Sequence, residues 1–265
     1  MKVPFSKYQG SGNDFVIMDN RNRIFDKKNR NLVARLCERR FGIGADGLML
    51  LENKSGYDFE MVYFNSDGGL SSMCGNGGRC IVNFSEQLGI TSGKARFLAV
   101  DGPHEAISRG PVVKLKMSDV RGIEYNEGYY FLDTGSPHYV RFVKGLALFD
   151  VYSEGRKVRH SPRFREHGVN VNFVEREKDT LFVRTYERGV EDETLACGTG
   201  VTASALVAAM NGYCEKLGTC EVKTPGGKLK VYFHELAPGH FSDIWLEAPA
   251  QKVTCSPAGR VEALL

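Results

Sequence analysis

A cysteine followed by Gly-x-Gly occurs twice in this chain, as Cys74-Gly75-Asn76-Gly77 and as Cys197-Gly198-Thr199-Gly200, each time at the head of an apolar, helix-like run. Glycine loses more backbone freedom on folding than any other residue, so two such loops are costly unless the bare backbone is used. Their spacing, 197 − 74 = 123, is close to half of the 265 residues, which points to two similar halves. The same offset carries Gly12-Asn13 onto Gly135-Ser136 and Asn65 onto Arg188. Halves of 1–123 and 124–265, joined near Arg121 to Asn126, are therefore expected, each giving one cysteine loop to a shared cleft. The last strand is free to pack back on the first half.

Strand-like runs dominate between these loops, among them GLMLLEN, YDFEMVYFN, VNVNFV, TLFVRTY and KLKVYFH, bounded by Gly, Asn, Asp or Pro. Helical periodicity is confined to three places: Leu32, Val33, Leu36, Cys37, Arg40 and Phe41; Cys80, Ile81, Phe84 and Leu88; and Val201 to Met210. Many strands and few helices predict an α+β chain with mostly antiparallel sheets.

Composition removes several function classes. With 42% hydrophobic and 25% charged residues the chain falls in the globular range. The net charge of +3 is mild, and basic clusters such as GRKVRH lack interleaved aromatics, so a solvated basic face is expected and not nucleic-acid binding. There is no apolar run of the ~20 residues that span a bilayer and no signal-peptide core at the start, so a cytoplasmic protein with no membrane partner is expected. The seven cysteines show no spacing of a structural zinc site, and no metal is expected. Cys37, Cys80, Cys214, Cys220 and Cys255 read as structural thiols. The literal G-x-G-x-x-G of Gly42 to Gly47 has a helix pattern before it and a strand after it, the reverse of a dinucleotide site.

Cys74 and Cys197 differ from the other cysteines because each sits where a helix offers unpaired amides and the positive end of its dipole. Both effects favour the thiolate, and the glycines let a carboxylate approach the backbone. A Cys–His pair using His138 would need one such loop and leaves the other unexplained. Two thiols suit inversion at carbon, one removing a proton from one face and the other returning one to the opposite face.

The segments GSGNDF, YFNSDGGLSSMCGNGGRC, GVNVNFV and YERGVEDETLACGTG, in order from residue 7 to about residue 227, closely resemble the diaminopimelate epimerase family. The resemblance implies two pseudo-symmetric halves, each a mostly antiparallel sheet or barrel around a central helix. It also implies cofactor-independent (PLP-independent) interconversion of LL- and meso-diaminopimelate on the way to lysine and peptidoglycan. Cys74 and Cys197 would be the acid–base pair, and Gly75-Asn76 and Gly198-Thr199 would hold the reacting carboxylate. Asn13, Asn65, Asn170, Glu187 and Arg188 would read the remaining polar groups, with His138 and Glu187 tuning the thiols. Many members carry Gln at the position of Gly47 and Asn at that of Ser136, so those two substrate contacts are expected to be lost or bridged by water. Proline racemases and hydroxyproline epimerases are the alternative within the two-thiol class, although they typically have His where this chain has Asn76. A catalytically idle amino-acid-binding relative is the alternative outside it. The expected partner is a small amino acid, and association as a homodimer is left open.

Overall fold

Runs of β-branched and aromatic residues between Gly, Asn and Asp turns form hydrogen-bonded ladders in the computed structural model, which describes residues 3–214 and 218–253 and the backbone of 260 and 261. The chain forms two compact units, Met1–Leu115 with Ala248–Leu265, and Lys116–Glu247. Cys255 lies outside the described residues.

In the first unit, Ser6–Gly10 pairs antiparallel with Asn13–Asp19, which runs parallel to Gly47–Glu52. That strand pairs antiparallel with Phe59–Asn65, which runs parallel to Lys94–Ala99; Gly102–Arg109 and Val112–Lys116 follow antiparallel. The second unit repeats this order of directions with Tyr129–Asp133, Pro137–Phe142, Asn170–Glu177, Thr180–Glu187, Thr219–Thr224, Gly227–Ala237 and His240–Pro249. Helices α1 (Arg30–Cys37) and α2 (Gly75–Gln87) of the first unit are matched by α3 (Val151–Arg159) and α4 (Gly198–Met210) of the second.

The repeat holds to the residue at the parallel pairing. Phe15 faces Gly47 in the first unit and His138 faces Asn170 in the second, where 138 − 15 and 170 − 47 are both 123. On the next ladder Leu48 faces Phe64 and Val171 faces Tyr186, so the offsets are 171 − 48 = 123 and 186 − 64 = 122. The second unit therefore carries one extra residue between Tyr186 and Cys197. In the fold the counterpart of Asn65 is Glu187, not the Arg188 that a constant offset selects.

Helices α2 and α4 are the centres of their units. α4 is apolar on all sides and buried from Gly200 to Ala208, the pattern of a helix enclosed by strands. Its hydroxyls are satisfied within the helix, Ser204 Oγ donating to the Gly200 carbonyl at 2.8 Å. No helix among the described residues is long and apolar enough to cross a membrane.

Three sequence expectations differ from the fold. The expected join at 121–126 lies inside the second unit, because Val120–Arg121 pairs with Phe241–His240 and Glu124–Asn126 with Phe131–Tyr129. After Glu247 the chain returns to the first unit, where Gln251 and Lys252 pair with Gln9 and Tyr8. Helix α1 ends at Cys37 and leaves Phe41 85% exposed, since Glu38 turns extended and the amides of Ile43 and Gly44 close back on the Leu36 carbonyl. Helix α3, read as a solvated basic cluster, was missed because its packing face contains a glycine. A Cβ on Gly155 would sit 2.3 Å from Tyr186 Cβ.

That contact makes Gly155→Ala a sharp probe. Alanine is the better helix former by ~1 kcal/mol, yet here it must displace a fully buried tyrosine. A net loss of about 1–3 kcal/mol is expected from overpacking, read as a lower denaturant midpoint; a gain in stability would contradict the packing described.

Candidate active site

The two cysteines cap their helices in the same way. Cys74 (φ −96°, ψ 126°) and Cys197 (φ −102°, ψ 111°) are extended N-cap residues whose side chains take none of the helix amides. Their carbonyls start the helices, accepting from Gly78 N at 2.7 Å and Val201 N at 2.8 Å. The leading amides and the positive dipole end are thus presented at each thiol. The second glycine of each Cys-Gly-x-Gly loop is explained by close packing. A Cβ on Gly77 would lie 3.1 Å from Met49 Sδ, and one on Gly200 2.2 Å from Asn172 Oδ1. Met49 and Asn172 are again 123 residues apart, so each helix head is pressed on the equivalent strand.

In the first unit, Asn13 and Asn76 are joined directly, Asn76 Nδ2 donating to Asn13 Oδ1 at 2.7 Å. Asn13 Nδ2 in turn donates to Asp46 Oδ2 at 2.8 Å. Asp46 and Asp14 are held by Arg39 at 2.6 and 2.8 Å, and Asp14 by Lys7 at 2.9 Å. The literal G-x-G-x-x-G thus supplies the carboxylate that orients Asn13. Asn65 is exposed at the strand end, where its backbone N–H donates to the Gly69 carbonyl at 2.9 Å. Gly47 is not a shortened side chain beside water: a Cβ there would lie 2.5 Å from the Tyr63 ring and 2.6 Å from the Phe64 carbonyl oxygen. Tyr63 fills the space.

In the second unit, Ser136 Oγ accepts from Asn170 Nδ2 at 2.9 Å and from Arg188 Nη2 at 3.3 Å. Asn170 Oδ1 also accepts the Arg188 amide at 2.9 Å, and the guanidinium donates to the His167 carbonyl at 3.0 Å. Gly168, at φ +74°, leaves the room this needs, since a Cβ would meet Arg188 Cδ at 2.5 Å. Ser136, Asn170 and Arg188 are therefore one cluster. Glu187 accepts from Thr194 Oγ1 at 2.8 Å; burial raises its pKa, against the lowering effect of that bond. Cys197 Sγ lies 3.5 Å from Thr199 Oγ1.

His138 is fully buried, and burial, reinforced by Arg188, pushes its pKa down to about 3. Asn172 Nδ2 donates to His138 Nδ1 at 3.1 Å and to the Tyr139 carbonyl at 2.9 Å. The ring is neutral with its proton on Nε2, which has no hydrogen-bond partner. Because the unfolded chain takes up this proton near pH 6.5 and the folded chain does not until about pH 3, stability falls as pH drops through that window. The loss is on the order of 5 kcal/mol, and His138→Gln is expected to flatten it in denaturation curves along a pH series. An unchanged acid limb would show that the histidine is not held neutral.

Sequence reasoning missed Asp46, which holds Asn13, Asn172, which holds His138, and Arg79, which holds Asn76 and is itself tied to Ser11. Among the other described cysteines, Cys37, Cys80 and Cys220 are buried. Burial pushes Cys37 and Cys80 up to about 12, and Cys220 is also raised, by Cys214 beside it and by burial. Among the described residues, no group of three or more His, Cys, Asp or Glu is arranged to hold a metal ion.

Comparison with known proteins gives a consistent match. The sequence model of the family described as diaminopimelate epimerase matches residues 5–109 and 130–238. A diaminopimelate epimerase from Flavobacterium psychrophilum is 49% identical over 249 residues, covering 93% of this chain and 96% of that protein. Among solved structures, a PhzF-family phenazine biosynthesis protein from Bacillus anthracis has a TM-score of 0.70 at 13% identity, covering 96% of this chain and 98% of that one. A hydroxyproline epimerase from Agrobacterium vitis has a TM-score of 0.63 at 14% identity, covering 96% and 91%. At those identities the likeness is one of fold.

Proposed function

As this chain belongs to the diaminopimelate epimerase family, we propose that it interconverts LL- and meso-diaminopimelate, with Cys74 and Cys197 as its two acid–base groups. The observation that carries this is the matched pair of helix heads: two 13-residue helices, one in each unit, each capped by a cysteine in the same backbone conformation. One sulfur, as thiolate, removes the α-proton; the other, as thiol, delivers a proton to the opposite face, and the roles exchange with the handedness of the substrate. Each such group contributes about 10²–10⁴ in rate. The leading amides at Gly75-Asn76 and Gly198-Thr199 bind the α-carboxylate and stabilise it as carbanion charge spreads into it.

The distal centre carries a second ammonium and carboxylate that must be recognised without reacting. Arg188, held by Ser136 and the His167 carbonyl, presents a fork for the distal carboxylate. Glu187, Asn170, Asn65 and Asn13 supply acceptors and donors for the other groups, and neutral His138 tunes the thiol of its own unit as a hydrogen-bond donor. A reducing compartment, the cytoplasm, keeps the sulfurs in thiol form. The reaction needs no cofactor and serves lysine and peptidoglycan precursor synthesis.

A substrate panel tests the assignment. The protein should show a far higher kcat/KM on LL-diaminopimelate than on L-proline or trans-4-hydroxy-L-proline, which lack the distal head group. A preference for either imino acid would move the protein to the alternative two-thiol class.

A further inference from the structure

Arg79 is fully buried on α2, and its hydrogen bonds all go to neutral acceptors. Nη1 donates to the Gly75 carbonyl at 3.2 Å, and Nη2 donates to Asn76 Oδ1 at 2.7 Å and Ser11 Oγ at 3.0 Å. Nε has no partner, and no carboxylate pairs with the guanidinium among the described residues. A buried cation without an anion is costly, and a fold keeps one only where an anion is supplied.

The second unit shows that these ties do not require a charge. At the offset of 123, Arg79 corresponds to Thr202, Ser11 to Thr134 and Asn76 to Thr199. Thr202 Oγ1 donates to the Gly198 carbonyl at 3.0 Å, as Arg79 does to Gly75. Thr134 Oγ1 donates to the Thr199 carbonyl at 3.0 Å, joining the hairpin turn to the helix head as Ser11 and Arg79 do in the first unit. Hydroxyls suffice to hold a helix head of this kind. The guanidinium adds a positive charge that is confined to the Cys74 half.

We infer that Arg79 is the buried counter-charge that makes Cys74, rather than Cys197, the thiolate of the resting enzyme. Among the described residues, no Asp or Glu side chain is bonded to Arg79 or acts on its charge. Cys80, on the same helix, is held as a thiol by burial, and burial keeps Tyr8, on the adjoining strand, a neutral phenol. Asp14 and Asp46 are engaged by Lys7 and Arg39 at the far end of the Asn13–Asn76 chain. The remaining sulfur within electrostatic reach of the guanidinium is that of Cys74, which caps the helix head whose Gly75 carbonyl and Asn76 side chain Arg79 holds. In one turnover Cys74 gains the substrate proton and Cys197 gives up its own. The resting form returns when Cys74 releases a proton to solvent and Cys197 takes one up, a step that Arg79 favours. Arg79 is thus a positioning residue that acts through Cys74.

This inference rests on the two-thiol reading of the site, but its test reads charge and not turnover, so the two can fail separately. The full chain is alkylated with iodoacetamide over a pH series, and modification of Cys74 and Cys197 is followed by peptide mass spectrometry. In the wild type, the labelling midpoint of Cys74 is expected to lie below that of Cys197 by about one pH unit or more. Arg79→Gln, which keeps a hydrogen-bonding side chain without the charge, should raise the Cys74 midpoint by about as much and leave that of Cys197 in place. A lower midpoint at Cys197 in the wild type would overturn the inference, and that ordering can be read even if the variant does not fold. A folded Arg79→Gln protein with lower thermal stability and an unmoved Cys74 midpoint would also overturn it, leaving Arg79 a purely structural tie.

Discussion

Replacing Cys74 or Cys197 with serine is expected to lower the rate of LL-diaminopimelate epimerisation by about 10²–10⁴ or more in each single variant. The sulfur cannot be replaced by oxygen at either helix head. A thiol can be brought to its thiolate by amides and a dipole, whereas a hydroxyl in the same place stays protonated and is a far weaker base. Since inversion needs a base on one face and an acid on the other, neither cysteine can cover for its counterpart. The closely similar cap geometry of the two residues makes the loss comparable in both variants. Cys37→Ser should keep most of its activity as long as the protein stays folded, because Cys37 is a buried thiol at the end of α1. Steady-state rates on both stereoisomers measure this. Full activity in either loop variant would contradict the two-base account.

The second large effect is expected at Arg188. Truncation to alanine leaves the distal carboxylate without its partner, which costs roughly 2–5 kcal/mol by analogy with broken charge pairs in desolvated interfaces, or about 30-fold to several thousand-fold in kcat/KM. Arg188→Lys should lose most of this as well. Lysine offers a point charge in place of the fork and cannot reach both Ser136 Oγ and the His167 carbonyl, which fix the guanidinium here. The side chain is exposed and outside the core, so thermal stability should change little in either variant. A Lys variant with wild-type kcat/KM would show that charge alone serves the distal centre.

What could be read from sequence depended on how local the signal was. Cysteine and glycine at a helix head form a signal within five residues, and both heads appear where the motifs put them. The parallel pairing of each half follows the same offset of 123, because the turns and helices between Phe15 and Gly47 match in length those between His138 and Asn170. The offset slips by one at Glu187 since the loop before Cys197 is longer, and only strand register reveals it. Helix α3 was hidden because Gly155, which carries no hydrophobic signal, forms its contact face. Tyr63 filling the space beside Gly47 is a long-range contact that no pattern within one segment encodes. Arg79 lies inside the segment YFNSDGGLSSMCGNGGRC, but its residue type alone does not show its role. Its meaning came from comparing what Thr202 does at the equivalent position, a comparison that needs hydrogen bonds and not residue types.

The central claim, proton removal and return by two thiols at one carbon, is tested most directly by turnover in D₂O. LL-diaminopimelate incubated with the protein should give meso product carrying one solvent-derived deuterium at the inverted α-carbon and none at the other. Substrate re-isolated early in the reaction should remain largely unlabelled, since the base that takes the proton is not the acid that returns one. Meso product without deuterium at that carbon would contradict the account. So would substrate that fills with deuterium before product forms, because a single base would then be exchanging the proton on one face.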